Sequence, residues 1–344
     1  MQEIKSVLLS RTDSIGDMVL TLPMAGVIKK HYPHAKVTVL GKTYTQPIVN
    51  LSQHVDAFLN WDEINLWDKH KQITFMRTQS FDCVIHVFPN KKIARLAKHA
   101  GVAMRIGTSH RWFHWFTCNS LLNFSRKNSD LHESQLNLKL LSPLNIHENV
   151  EIKKMHDFLD FSCNYVLQEE IKKLLNPQKL NIVLHPLSKG SARNWGLDNF
   201  AELINILPQE KYNIFVSGTE QEGILFRDKL IKPYPFVHDI SGKVNLEQFI
   251  ALINASSALV ACSTGPLHIA SALDKLAVGL FPPIRPIHAG RWAPIGKNVV
   301  ILSKGDAQCT NCKKTNSCSC IESITPQEVL YALETKSSSS LNYT

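Results

Sequence analysis

Ser263-Thr264-Gly265-Pro266-Leu267-His268 follows the apolar run Ala258 to Ala261 and opens a helical pattern over Ile269 to Leu273. A glycine-containing turn and a fresh helix N-terminus at the carboxyl end of a buried strand offer free backbone N–H groups. Such groups favour an anion, for example a diphosphate. A second strand–loop–helix unit lies near the start, where Ser6 to Ser10 run into Arg11-Thr12-Asp13-Ser14-Ile15-Gly16-Asp17 and then Met18-Val19-Leu20. The pattern is that of a chain built to hold a nucleotide. No glycine-rich fingerprint follows the first strand, only Gly16, which speaks against a nicotinamide site there.

These loops need elements to position them. Strand and helix alternate through the first half: strands at Ser6 to Ser10, Val37 to Leu40, Ala57 to Asn60, Cys83 to Phe88 and Arg105 to Gly107. Helical patterns cover Met18 to Lys30, Thr45 to Leu51, Lys69 to Thr78 and Ile93 to Ala100. A second alternation follows the polar helix Gln168 to Leu175 and the turn Asn176-Pro177. Its strands are Leu180 to His185, Tyr212 to Ser217, Phe236 to Ile240, Ala258 to Cys262 and Ala277 to Phe281. Its helices are Asn199 to Leu207, Glu220 to Leu230, Leu246 to Ala255 and Pro266 to Leu273. Alternation at this spacing predicts α/β architecture, two doubly wound parallel-sheet units facing a cleft. The expected boundaries are a first domain over 1–175, a second over 176–322, a helix over 323–336 packing back on the first domain, and a disordered tail over 337–344.

With 344 residues, 44% of them hydrophobic and 19% charged, the composition is that of a folded soluble protein. No apolar run reaches the roughly 18 residues of a membrane helix. The start, Met1-Gln2-Glu3-Ile4-Lys5, reads as a first strand and not a signal peptide, so a cytoplasmic protein is expected. The net charge of +9 has a local source: Lys91, Lys92, Arg95, Lys98, Arg105, Arg111, Arg126 and Lys127 occur with no Asp or Glu among them. Trp112, Phe113, Trp115 and Phe116 interleave, beside His110 and His114. The stretch reads either as a solvated basic face around buried aromatics or as a surface for a phosphorylated glycolipid, an acidic bilayer or nucleic acid. Cys83, Cys118, Cys163 and Cys262 are scattered and read mainly as buried small hydrophobes. Cys309, Cys312, Cys318 and Cys320 cluster; the first pair has zinc-ribbon spacing and the second does not, leaving a structural zinc and a plain structural loop as the two readings.

Asp13-Ser14-Ile15-Gly16-Asp17, Lys189-Gly190-Ser191-Ala192-Arg193-Asn194-Trp195, Ser241-Gly242 with Leu246, and Ser263 to His268 occur in that order. With Arg291-Trp292-Ala293-Pro294-Ile295-Gly296 and the C-terminal cysteines, they resemble the heptosyltransferases of lipopolysaccharide core assembly, glycosyltransferase family nine. The resemblance covers nearly the whole chain. It implies a GT-B fold, a nucleotide-sugar donor in the second domain, inversion at the anomeric carbon and no catalytic metal or other cofactor.

An inverting transfer needs a base for the acceptor hydroxyl. By resemblance this is Asp17, with Asp13 orienting the loop on the acceptor side; the plainer reading makes Asp17 the cap of a helix beginning at Met18. The resemblance places Ser188, Lys189 and Arg193 at the diphosphate, Arg193 standing where a lysine is common, and Glu222 at the ribose. Glu222 is otherwise an ordinary acid early in a helix. Thr264 and Gly265 would turn their amides to phosphate, with His268 one turn behind as either a packed residue or a participant. Ser263 departs from the acid common there, which contacts the sugar, so the departure bears on which sugar is used. Arg105 and Arg111 are assigned to the acceptor.

The expected activity is transfer of heptose from ADP-heptose to a lipid A-linked lipopolysaccharide core at the inner face of the cytoplasmic membrane, with peripheral contact to the anionic bilayer. Transfer of another sugar by a family member is the nearest rival, ahead of a sugar-nucleotide epimerase of the same fold. A nucleic-acid-binding module would explain the cations but not the Ser263 to His268 loop, and no nucleic-acid motif is present, so no nucleic acid is expected.

Overall fold

The computed structural model describes residues 4–127, 129–188, 190, 192–305, 309 and 318–340, with side chains through 335. The chain divides into two compact units, Met1–Ser162 and Cys163–Thr344.

The first unit holds β1 (Ser6–Ser10), β2 (Lys36–Gly41), β3 (Ala57–Asn60), β4 (Cys83–His86), β5 (Met104–Thr108) and β6 (Ser120–Leu122) in one parallel sheet ordered β3-β2-β1-β4-β5-β6. Val7, Leu8 and Leu9 are all fully buried, as a central parallel strand covered on both faces requires. On one face Leu8, Leu40 and Val84 pack with Ile93, Leu96 and Ala97 of the Lys91–His99 helix. The helical pattern read over Met18 to Lys30 is two helices, Ile15–Val19 and Pro23–His31. Pro23 has no N–H for an internal helical bond and is favoured at a helix start, so the chain turns before it.

The second unit repeats the plan with β7 (Leu180–His185), β8 (Tyr212–Val216), β9 (His238–Asp239), β10 (Ala258–Cys262), β11 (Leu276–Phe281) and β12 (Val299–Ser303), all parallel, in the order β12-β11-β10-β7-β8-β9. In each sheet the first strand of the unit is central, with the chain winding outward to one side and then to the other. The reversal falls between β1 and β4 and between β7 and β10, and ligands of doubly wound sheets bind outside the carboxyl ends of the strands at that reversal.

Three expectations about boundaries are corrected. The unit boundary falls at 162, not 175. Gln168 N donates to Gln248 Oε1 at 2.8 Å and Gln248 Nε2 to the Val166 carbonyl at 2.8 Å, tying this segment to the second unit. The last helix, Pro326–Ser340, also belongs to the second unit: Val329, Ala332 and Leu333 join its core, and the helix packs on the Leu197–Ile206 helix and β11. It continues through 337–340, where a disordered tail was expected, because extending an existing helix needs no new nucleus; residues 341–344 lie outside the described residues.

Candidate functional site

In the first unit the reversal is occupied by the loop after β1. Ser14 is the N-cap of the Ile15–Val19 helix, its hydroxyl accepting from the Asp17 N–H at 3.4 Å. Asp17 is therefore inside the first turn, and the reading of Asp17 as the cap of a helix starting at Met18 is corrected. Its Oδ2 accepts from the Ser14 hydroxyl at 2.5 Å and its Oδ1 from Arg11 Nη2. Arg11 is a buried cation at the centre of a carboxylate group: Nε donates to Asp13 Oδ1 at 2.6 Å and Nη1 to Glu133 Oε1 at 3.3 Å. Glu133, at the start of the Glu133–Lys139 helix, also accepts from Arg126 Nη1, which in turn donates to Asn137 Oδ1 at 2.9 Å. Asn137 Nδ2 closes the circuit on the Leu20 carbonyl at 3.0 Å.

Burial alone would lower the Arg11 pKa, but the charges of Asp17, Asp13 and Glu133 leave it above the ordinary arginine value. Burial pushes Asp13 up to about 6, assisted by the charge of Asp17 and opposed by Arg11. The Tyr44 hydroxyl holds the Asp13 carbonyl. Glu133, Asn137 and Tyr44 are not singled out by the sequence, and Arg126 is grouped there only with the basic stretch. Arg11 alone had a local signal, a cation at a strand end two residues before an acid.

Beside this loop, His86 ends β4 opposite Ser10 of β1 and is buried. Its ring stacks on that of His114, with centroids 5.5 Å apart, and neither His86 nitrogen has a hydrogen-bond partner among the described residues. Burial, with the charges of His114 and Arg105, pushes its pKa down to about 3.

The basic stretch divides. Arg105 lies in the amino-terminal half of β5, at the register of Val84. Its Nε donates to the Thr117 carbonyl at 2.7 Å and its Nη1 to Val102 and Ala103 carbonyls. Its guanidinium is committed to main-chain carbonyls flanking the amino ends of β5 and β6, a structural clasp that does not support its assignment to the acceptor. Arg111 follows the carboxyl end of β5 and is exposed.

In the second unit the loops after β7 and β10 flank the reversal. Ser188 is tied to its own loop, its hydroxyl donating to the Ala192 carbonyl at 3.0 Å. Arg193 is half-buried in that loop, and Trp195 behind it is fully buried, donating Nε1–H to the Ile324 carbonyl at 2.8 Å. Lys189 lies outside the described residues. Thr264, in an extended conformation, is the N-cap of the Gly265–Ala272 helix, yet its side chain makes no capping bond. Its hydroxyl oxygen is buried with no hydrogen-bond partner among the described residues. Gly265 opens the helix, Ser263 is half-buried at its entrance, and His268 is buried within it. Ile295 and Gly296 brace the helix from behind: Ser271 Oγ donates to the Ile295 carbonyl at 3.2 Å, and a Cβ on Gly296 would sit 2.5 Å from the Ser271 carbonyl oxygen.

Glu222 is the N3 residue of the Glu220–Leu230 helix and forms a capping box, its Oε2 accepting from Thr219 N at 2.7 Å and Oγ1 at 2.9 Å. One carboxylate oxygen thus has a structural task. Burial lowers His185 to about 4, against the opposing charge of Glu222. The Ser241-Gly242 pair is also structural: Arg227 Nη2 reaches Ser241 Oγ at 3.0 Å, and Gly242, at φ +70°, takes a left-handed conformation where a Cβ would meet Glu220.

Cys318 is buried in the core of the second unit, with Cys309 and Cys320 packed against that core; Cys312 lies outside the described residues. No group of three or more metal-capable side chains occurs among the described residues, and no helix among them is long and apolar enough to cross a membrane.

The family model for glycosyltransferase family 9 (heptosyltransferase) matches residues 70–321. The chain is 24% identical over 311 residues to lipopolysaccharide heptosyltransferase 3 of Escherichia coli K12, covering 85% of this chain and 86% of that one. It is 23% identical over 327 residues to the lipopolysaccharide core heptosyltransferase OpsX of Haemophilus influenzae, covering 88% and 86%. The solved E. coli ADP-heptose lipopolysaccharide heptosyltransferase II superposes with a TM-score of 0.75 at 19% identity, over 98% of this chain and 100% of that one, which establishes the GT-B fold class. The chain belongs to glycosyltransferase family 9 and is a glycosyltransferase.

Proposed function

We propose that this chain transfers heptose from ADP-heptose, with inversion and without a metal, to a lipid-linked lipopolysaccharide core at the cytoplasmic face of the membrane. The observation that carries the reading is the location of the family's motif loops at the reversal of each sheet, Asp17 in one unit and Thr264 in the other. The names of the relatives supply the sugar and acceptor.

In this reading Asp17 takes the proton of the acceptor hydroxyl as that oxygen attacks the anomeric carbon, and the bond from that carbon to the diphosphate breaks. Arg11 and Ser14 fix the carboxylate, and each of its oxygens keeps a second lone pair for the acceptor. Arg193 and the amides of Thr264 and Gly265 take up the charge growing on the departing ADP, which replaces the task a metal would perform. The buried Thr264 hydroxyl, without a protein partner among the described residues, gains one when a phosphate oxygen is present. Glu222 receives the ribose through the oxygen its capping box leaves available. Asp13 steers the acceptor loop, and Arg111 meets the anionic acceptor.

Ser263 favours a second reading, transfer of a different sugar, because a serine offers the sugar hydroxyls neither charge nor a second acceptor oxygen. A thermal-shift panel separates the two. ADP-heptose should raise the melting temperature above ADP alone, and mass spectrometry should then find one added heptose on a core acceptor lacking it. A shift given only by another nucleotide sugar would replace heptose in the proposal.

A further inference from the structure

The aromatics of the basic stretch are not a buried cluster. Trp112, Trp115 and Phe116 are 61%, 63% and 69% exposed, all within or beside the short His114–Thr117 helix. Solvent exposure of three such side chains within five residues is costly for a surface with no partner. Trp115 donates its Nε1–H inward to the Ser109 carbonyl at 2.9 Å, so what it presents outward is its apolar ring.

The adjoining Lys91–His99 helix supplies the charge. Ile93, Ala94, Leu96 and Ala97 face the core, which leaves Lys91, Lys92, Arg95 and Lys98 outward. Two contacts join the helices into one surface: Lys91 Nζ lies 4.5 Å from the centre of the Trp112 ring, and Lys98 Nζ donates to the Phe116 carbonyl at 2.7 Å. The segment 91–127 has no acid to offset these cations. The loops that open the surface, after β4 and β5, leave the same edge of the sheet as the loop carrying Asp17.

We infer that this surface docks on an anionic bilayer, Trp112, Trp115 and Phe116 entering the headgroup and upper acyl region while the cations of the Lys91–His99 helix meet lipid phosphates. Indole and phenyl rings suit that boundary, Trp115 with its N–H already satisfied inward, and the cations add attraction that salt weakens. The inference deepens the proposed reading of a lipid-linked acceptor, but its test needs no transfer reaction.

The full chain is floated with phosphatidylethanolamine vesicles made with and without phosphatidylglycerol, and its fluorescence is followed with brominated acyl chains. Binding should require phosphatidylglycerol, fall with salt, and quench tryptophan emission. Trp112→Ala with Trp115→Ala and Phe116→Ala should lower partitioning by about tenfold or more. Lys91→Glu with Arg95→Glu should lower it by about fivefold for each cation. Melting curves confirm that the variants fold, and transfer to a deacylated, water-soluble core acceptor should be unchanged by the aromatic changes. Three results would each overturn the inference: equal vesicle binding by the aromatic variant, preferential binding of the patch to single-stranded RNA, or a raised KM for the soluble acceptor. Failure of transfer by the unaltered protein would count against the proposed reaction and leave vesicle binding to stand or fall separately.

Discussion

Arg11 Nη2 donates to Asp17 Oδ1 from a position where the same guanidinium also holds Asp13 and Glu133. The orientation of Asp17 is thus set by a buried charge network reaching 122 positions along the chain to Glu133. This gives the loop a stiffness that its own short helix could not supply.

Asp17→Asn keeps the side-chain shape and removes the carboxylate proposed as the base. Turnover should fall by about 10²–10⁴-fold with ADP affinity close to wild type, and the melting temperature should also drop, because buried Arg11 loses one of its three carboxylate partners. Stopped assays and calorimetry on one preparation check this; near-normal turnover would exclude Asp17 as the base.

Glu133 is linked to Asp17 through Arg11 and also pairs with Arg126, so it is a positioning residue in the proposed reaction. Glu133→Gln leaves two cations less well compensated in a buried site, so stability should fall by about 3 kcal/mol, read by urea unfolding. Turnover should drop with KM little changed, and Glu133→Asp should recover part of both. A loss of stability with kcat intact would confine Glu133 to a structural role.

Ser263→Asp tests sugar choice. The ratio of kcat/KM between ADP-heptose and other nucleotide sugars should move by about tenfold or more, with affinity for bare ADP preserved. Parallel assays that give the same preference order and ratio would remove position 263 from specificity.

His86 makes stability depend on pH. Its folded pKa of about 3 lies below the ordinary 6.5, so the neutral ring contributes stability that is complete above pH 6.5 and lost as pH falls toward 3. The loss approaches about 1.4 kcal/mol per pH unit in that window. His86→Phe should flatten the fall in melting temperature between neutral and mildly acid solution. An unchanged slope would place the acid sensitivity elsewhere.

The loop from Ser263 to His268 was legible because an unbroken apolar strand, a glycine and a new helix are adjacent in the chain. Helices at Lys69–Thr78, Glu220–Leu230 and Leu246–Ala255 were equally plain, each bounded by its own capping residue. Helix capping near Asp17 was misread because apolar spacing continues across Pro23, which hid Ser14 as the true start. Arg105 and Arg111 looked equivalent in a run of cations; only strand register shows that one lies toward the amino end of β5 and the other beyond its carboxyl end. The partnership of Arg11 with Glu133 has no local signature, since it is created by the packing of a distant helix.

Trp195 anchors the loop bearing Arg193 on the carbonyl of Ile324, and the Pro326–Ser340 helix that follows completes the core behind it. The far end of the chain is therefore the foundation of that loop. A protease cut or a bulky insertion before Val329 would act as a lesion at the loop of Arg193, displacing it in a protein whose motif residues are all intact.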